Sequence, residues 1–446
     1  MATVSETGAR PALDAFWMPF TANQYFRADP RMLVAAEGMY YTADDGHSVL
    51  DGTSGLWCVN AGHGRSEIAD AVGEQLRTMD FGPTFQMGHP LPFRFAERLA
   101  DYLPEGLDRL FFTNSGSEAV DSALKIARAY QHARGQPGRW RLIGRSRAYH
   151  GVNFGGISVG GIGNNRRRFG PLVGGVDHLP HTHDPQRNAF TVGLPEHGVE
   201  YADELEHILA LHGPETVAAV IVEPIAGSTG VLLPPKGYLQ RLREICDRHD
   251  ILLIFDEVIT GFGRTGSAFA AQEFGVVPDM ITMAKGMTNG AVPMGGVAAH
   301  RAIHDAFMQG DPRGPGIELF HGYTYSGHPT ACAAGIAAID VFEREGLFTR
   351  ARELESHWAR RAHELDNAPN VVDVRNYGLI AAIELAPRPG GAGERAFEVF
   401  RRCFDQGALI RVTADIIALS PPLIVSEAEI DRLFDILGEA LQHCAD

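Results

Sequence analysis

Short apolar runs alternate with amphipathic stretches through the middle of the chain. RLFFT (109–113), WRLIG (140–144), VAAVIVEPI (217–225), ILLIFDEV (251–258) and MITMAK (280–285) read as buried strands. Between two of them, GYLQRLREICDRHD (237–250) sets Leu239, Leu242 and Ile245 on one helical face. Strands separated by helices imply βαβ units and a mostly parallel sheet. From about residue 335 the pattern changes. A long helical stretch, AIDVFEREGLFTRARELESHWARRAHEL, gives way to short strands and a final helix, EAEIDRLFDILGEALQHC. The expectation is a large α/β unit over 61–330 and a smaller α+β unit over 331–446, to which residues 1–60 add strands. PRPGGAGE (387–394) reads as a surface connection, and no internal repeat is seen.

A chain of 446 residues is long enough for two or three such units, each with its own core. Net charge is −16 and the pI about 5.6, which argues against nucleic acid or an anionic membrane as partner. The five cysteines form no C-x-x-C pair, which suits a reducing compartment rather than a disulfide framework or a zinc ribbon. MATVSETGARPALDAFWMPF lacks a basic stretch followed by an apolar one, so no signal peptide is read. Apolar runs such as VAAVIV are far shorter than the roughly 20 residues that span a bilayer. A soluble cytoplasmic protein is expected. Lysine is scarce: of 39 basic residues only Lys125, Lys236 and Lys285 are lysines. A lysine kept among so many arginines suggests a task for a primary amine, which arginine cannot perform.

TNSGSEAVDSALKIARAY (113–130) opens as a capped helix, with Ser115 and Glu118 as a capping box and Val120, Ala123, Leu124, Ala127 and Tyr130 on the apolar face. It also offers a phosphate site. Gly116 admits an anion close to the backbone, Ser117 supplies a hydroxyl, and the helix start supplies N–H groups. In RAYHGVNFGG, Tyr149 is placed to lie over a flat ring, or simply in the core; His150 adds little.

ILLIFDEVITGFGRTG (251–266) carries two readings. Gly261, Gly263 and Gly266 spell G-x-G-x-x-G, but a dinucleotide fingerprint begins as its strand ends, with an acidic partner about 20 residues on. Here Val258, Ile259 and Thr260 intervene, and the next aspartate, Asp279, follows the last glycine by 13 residues. Asp256, carried out of a buried strand, needs a partner: a salt bridge or a protonated ring nitrogen. Lys285, 29 residues further on, ends a near-apolar strand, where burial would lower its pKa as Schiff-base chemistry requires. Lysine, aspartate, aromatic platform and phosphate helix are together the parts that hold pyridoxal phosphate. HLPHTH (His178, His181, His183) reads as loop histidines rather than a metal site, and Arg166, Arg167 and Arg168 as a solvated turn or, alternatively, a contact with a substrate or a neighbouring subunit.

FFTNSGSEAVDSALKIARAY, AYHG, VEPIAGSTGV, LLIFDEVITGFGRTG, MAKGMTNG and HGYTYSGHP together resemble the class III (omega) pyridoxal-phosphate aminotransferases, from about residue 14 to 440. LDAFWMPFTANQYF, LVAAEGMYYTADDGHSVLDGTSGLWCVNAGHGR and FHGYTYSGHP look more narrowly like the omega-amino acid:pyruvate (β-alanine:pyruvate) members. The resemblance implies the fold-type I architecture, with a mostly parallel seven-stranded sheet and a smaller α+β domain. It implies a homodimer, alone or paired into a tetramer, with active sites at the interface. Lys285 would be the Schiff-base lysine and proton carrier, Asp256 the partner of the pyridine nitrogen, and Tyr149 and Val258 the two faces of the ring clamp. Ser115, Gly116 and Ser117 would bind the phosphate, with Thr324 from the partner subunit, and Glu223 would join the cofactor site. Phe20, Trp57 and Phe85 would wall the substrate pocket, and Arg411 would bind the carboxylate of pyruvate or alanine. GFGRTG would be only the turn after the cofactor strand, its glycines incidental. Ala418 and SPPLIV depart from the β-alanine:pyruvate pattern, which weakens β-alanine as the donor but not pyruvate as acceptor. An aminomutase or decarboxylating transaminase of the same fold stands as the first rival, and an NAD-dependent oxidoreductase, resting on GFGRTG alone, as the second.

Overall fold

The computed structural model describes residues 13–310 and 314–444. MATVSETGARPA, and with it most of the stretch read for a signal peptide, lies outside the described residues. Seven strands form the central sheet: β1 (Arg109–Thr113), β2 (Arg141–Arg145), β3 (Val176–Leu179), β4 (Val217–Val222), β5 (Leu252–Asp256), β6 (Met280–Met283) and β7 (Gly295–Ala299). Their spatial order is β1-β7-β6-β5-β4-β2-β3. β7 runs antiparallel to both neighbours, and every other adjacent pair is parallel.

Strands β4, β5 and β6 are buried throughout because helices cover both faces of the sheet. Ala219 and Ile221 of β4 and Ile254 of β5 pack with Val120, Ala123, Leu124 and Ala127 of helix α1 (Gly116–Ala133). Val220, Val222, Leu253 and Phe255 point to the opposite face, where Leu239, Leu242 and Ile245 of the helix Tyr238–Arg248 meet them. The period-two alternation of strand side chains thus divides one apolar run between two cores.

β3 and β7 escaped the sequence reading. VDHL is four residues long and half polar, and GGVAA has only one residue of high strand propensity. The strand at the end of MITMAK is also shorter than expected: β6 stops at Met283, and Lys285 opens a 3₁₀ turn, Lys285–Thr288.

Two four-stranded sheets flank the central one. The first joins Leu33–Glu37, Tyr40–Ala43 and Ser48–Asp51, antiparallel in turn, to the short strand Ala408–Leu409, which runs parallel to Ser48–Asp51. The second is wholly antiparallel: Val371–Tyr377, Ile380–Leu385, Ile416–Leu419 and Arg411–Thr413. The last helix, Glu427–His443, starts in a complete capping box between Ser426 and Glu429. Among the described residues, no helix is long and apolar enough to cross a membrane.

The GFGRTG turn needs its glycines. Gly263 (φ +89°) and Gly266 (φ +99°) adopt the left-handed region, and a Cβ on Gly263 would lie 2.7 Å from the Leu347 carbonyl oxygen. Their conformation buries Arg264, whose guanidinium donates to Pro421 O, Ser54 Oγ and Asn60 Oδ1. Burial pushes this arginine down to about 9. The turn therefore ties together residues 54–60 and 421 rather than cradling a nucleotide, and its glycines are structural rather than incidental.

Candidate active site

The C-terminal ends of β1, β2, β4, β5 and β6 open on a cavity of about 130 Å³, lined by Gly116, Ser117, Tyr149, Glu223, Asp256, Val258 and Lys285. Parallel strands place ligands at this edge because the turns that follow them converge there. Seven residues singled out from sequence thus meet across more than 160 positions of chain.

α1 begins at Gly116, and Ser115 is its N-cap: Ser115 Oγ accepts from Glu118 N at 3.2 Å. Only half of the expected capping box forms. Glu118 Oε2 accepts from Asn114 N and Nδ2, both at 2.8 Å, rather than from Ser115 N. Ser115 spends its hydroxyl on the helix and does not line the cavity. Ser117 Oγ accepts from Val152 N at 3.1 Å, which closes the turn after Tyr149 over the helix start. Gly151 makes this possible: a Cβ there would lie 2.4 Å from Ser117 Oγ. Gly116 is less tight: a Cβ there would lie 3.0 and 3.1 Å from the methyls of Val258.

Asp256 and Glu257, adjacent at the end of β5, face opposite ways. Asp256 turns into the cavity, where His150 Nδ1 lies 2.7 Å from its Oδ2 and Val258 N donates to its Oδ1 at 3.2 Å. Glu257 turns into the core, accepting from Ala270 N, Ala271 N and Thr260 Oγ1; burial raises it to about 7. Glu223 follows β4, accepts from Tyr149 N at 2.9 Å, and is also raised to about 7, first by burial and then by the nearby Asp256 charge.

Lys285 has φ +51°, a left-handed backbone rarely adopted by a side-chain-bearing residue. Its amine is pushed below the ordinary lysine range, mainly by burial, with Arg411 adding to the effect and Cys58, Asp256 and Glu223 opposing it. Arg411 is desolvated as well, which lowers it, and its Nε is buried without a hydrogen-bond partner among the described residues. Burial raises the phenol of Tyr149, while the Arg411 charge pulls it back.

The remaining predicted residues lie elsewhere. Trp57 is buried beside Gly227, whose Cβ position is 3.7 Å from its ring. Phe20 is exposed and lines a separate pocket with Arg411. Phe85, also exposed, lines a surface cleft with residues 314–322. Thr324 is exposed on the turn that follows.

This architecture and cavity recur in known proteins. The family model for class-III aminotransferases matches residues 22–441. The chain belongs to this family. The aminotransferase is 62% identical to an omega-aminotransferase of Caulobacter vibrioides, over 96% of this chain and 97% of that one. It is 52% identical to a beta-alanine–pyruvate aminotransferase of Pseudomonas aeruginosa, over 97% and 96% of the two chains. Among solved structures, a PLP-bound amine transaminase from an uncultivated Pseudomonas species superposes with a TM-score of 0.88 at 36% identity, covering 96% of this chain and 98% of the other.

The cofactor of the aminotransferase is pyridoxal 5′-phosphate, and the cavity fits it. The helix start and Ser117 suit an anion, Gly116 and Gly151 line the cavity without a side chain, and a carboxylate and a lysine amine line the same space. Once bound, the cofactor supplies an electron sink and a carrier for the amino group.

His150 is the residue that sequence reasoning passed over. It is buried, holds Asp256, and follows Tyr149 directly, so the AYHG segment itself was the available signal. Arg166 was also misread: it is half-buried and donates to Ser158 O and Gly160 O, with His178 Nε2 2.7 Å away. His183 meets Asp373 and Glu384, and the guanidinium of Arg375 already bridges those two carboxylates.

Proposed function

We propose that the aminotransferase moves an amino group from an omega-amino acid or an amine without an α-carboxylate to pyruvate, giving alanine and an aldehyde or ketone. The observation that carries this reading is that Asp256 and Lys285 line one cavity, with the Lys285 amine lowered by burial and by the charge of Arg411, whose buried Nε has no partner among the described residues and suits a carboxylate. Lys285 shuttles the proton in each half-reaction, Asp256 faces the ring nitrogen, and Tyr149 and Val258 flank the ring. Glu223 helps to hold the Tyr149 turn, and Gly116 and Ser117 receive the phosphate. Arg411 orients the carboxylate of the acceptor, against a wall formed by Trp57. The names of the two relatives support the donor and acceptor classes.

We further propose a homodimer in which Thr324 and Phe85 of each chain complete the other chain's site, with Phe20 at its rim. Their exposure, outside the Lys285 cavity, supports this assignment. Limits of 1–60, 61–330 and 331–446 for the N-terminal segment, large domain and small domain belong to the same reading, as does a cytoplasmic setting.

The test is an absorbance spectrum of the purified protein before and after addition of 1-phenylethylamine, and again after pyruvate. The expected result is loss of the long-wavelength cofactor band with the amine and its return with pyruvate. A band that fails to return with pyruvate would reject that acceptor. Turnover of a donor without any keto acid would favour a mutase.

A further inference from the structure

Residues 51–63 form an arch whose two ends are fixed in the first flanking sheet. Asp51 ends the strand Ser48–Asp51, and His63 exchanges two backbone hydrogen bonds with Gly38, at 2.8 and 3.0 Å. The ends also meet through their side chains. His63 Nε2 lies 2.8 Å from Asp51 Oδ2, and the Tyr41 ring packs on the imidazole with 4.3 Å between ring centres. Facing a carboxylate oxygen, which only accepts, Nε2 carries the proton. The Asp51 side chain is wholly buried and that of His63 nearly so. Asp51 also accepts from Thr53 Oγ1 at 3.1 Å and from two backbone amides, Thr53 N at 2.9 Å and Gly55 N at 2.7 Å.

Those amides belong to a strained turn. Ser54, Gly55 and Trp57 have φ of +47°, +65° and +64°, in the region that side-chain-bearing residues avoid. Such a backbone persists only where its surroundings over-determine it. Trp57 follows in the same turn, buried, with its Nε1 lacking a hydrogen-bond partner among the described residues. No hydrogen bond therefore places the indole; its backbone does. The ring lies 3.7 Å from the Cβ position of Gly227, and that position is 3.0 Å from Cδ1 of Ile259, which lines the Lys285 cavity. The rest of the arch sits on the turn that Lys285 opens. Asn289 Oδ1 accepts from Ala61 N at 2.8 Å, and Asn289 Nδ2 donates to Gly62 O at 2.9 Å. Gly290 N donates to Lys285 O at 3.2 Å, and the Cβ position of Gly290 is 3.1 Å from Cys58 Cβ.

We infer that Asp51 and His63 are positioning residues that hold Trp57 as a wall of the site and so limit the bulk of the amine donor. The inference rests on the aminotransferase reading above, with Trp57 as pocket wall. Asp51 gathers the amides of residues 53 and 55, which fixes the backbone through Trp57 and sets the indole against Gly227 and Ile259. His63 keeps the carboxylate turned toward those amides. Without the imidazole, a wholly buried charge loses its ring N–H partner and the turn relaxes toward a commoner backbone. The indole then leaves the wall, and a larger donor substituent fits. Both residues act through Trp57 and touch none of the reacting atoms.

Two measurements on the holoenzyme test this. The first is kcat/KM with pyruvate for 1-phenylethylamine and for the bulkier 1-phenylbutylamine. The second is acrylamide quenching of the Trp57 emission, taken as the difference between each protein and its Trp57→Phe counterpart. His63→Leu is expected to raise the ratio of the bulky to the small donor by about tenfold, the scale on which an apolar pocket discriminates methylenes. It should also expose to quencher an emission that the wild type shields. In a Trp57→Ala background the same substitution should change the ratio by less than about twofold, because the wall it positions is gone. Equal losses for both donors, with the ratio unchanged, would overturn the inference, since His63 would then serve stability alone. A shift in ratio that persists in the Trp57→Ala background would overturn it too, as would unchanged quenching. Should His63→Leu fail to fold, Thr53→Val keeps the side-chain shape and removes the hydroxyl that Asp51 accepts from; it must shift ratio and quenching in the same directions, and no shift refutes the clamp. If no amine reacts with pyruvate, the aminotransferase reading falls, while quenching still reports whether His63 places Trp57.

Discussion

His150 Nδ1 lies 2.7 Å from Asp256 Oδ2, and both buried residues line the cavity that Lys285 also lines. With Val258 N on the other oxygen, the imidazole holds the carboxylate in one orientation. His150→Leu removes a hydrogen bond to a charged group, a loss of about 1.5–3 kcal/mol. Steady-state kinetics should show kcat lower by roughly 10- to 100-fold with the KM for pyruvate little changed. Asp256→Ala should cost more than His150→Leu, because it removes the charge itself. The reverse order would show that His150 acts on its own account.

Lys285 cannot be replaced by another cation. Lys285→Arg keeps a charge but has no free amine and does not deprotonate, so turnover should fall below detection. Borohydride reduction of the cofactor-loaded protein, followed by intact mass measurement, should add the cofactor mass to the wild type and not to the variant.

Glu223 makes stability depend on pH. Its pKa rises from 4.5 to about 7 on folding, so the folded state holds a proton that the unfolded state has released between those values. The stabilising contribution is therefore full below about pH 4.5 and lost as pH rises through about 7, a change on the order of 3 kcal/mol. Glu223→Gln stays neutral throughout. Thermal midpoints of the cofactor-free proteins should show the variant gaining on the wild type as pH rises from 5 to 8, on the scale of the roughly 1.4 kcal/mol per unit that linkage allows.

Gly151→Ala should separate cofactor affinity from global stability. The added methyl would sit 2.4 Å from Ser117 Oγ at a backbone with φ +84°, so the turn above the phosphate helix must move. An increase of about tenfold or more in the cofactor dissociation constant is expected, with loss of no more than about 1–3 kcal/mol of stability.

Arg264→Met tests the GFGRTG turn. It leaves Ser54, Asn60 and the Pro421 carbonyl without their buried donor. Denaturant unfolding should show a loss of about 3 kcal/mol or more, as breaking a buried charged network does.

The strands with strong apolar runs are legible in sequence: β4, β5 and β6 because a strand buried on both faces has no polar alternative, and the less buried β1 and β2 by their short apolar runs. The chemistry of Lys285, Asp256 and the α1 start is legible for a related reason: an ammonium or carboxylate at the end of an apolar strand needs a purpose or a partner, and a Ser-Gly-Ser helix start exposes N–H groups. Tertiary structure decided the rest. Whether Asp256 or Glu257 enters the cavity depends on which face of β5 meets the site, and the pairing of His150 with Asp256 depends on β2 and β5 both flanking β4. The role of Arg264 likewise follows from segments brought together across 157 residues. Local sequence encodes what a side chain can do, whereas its partners are set by how the layers pack.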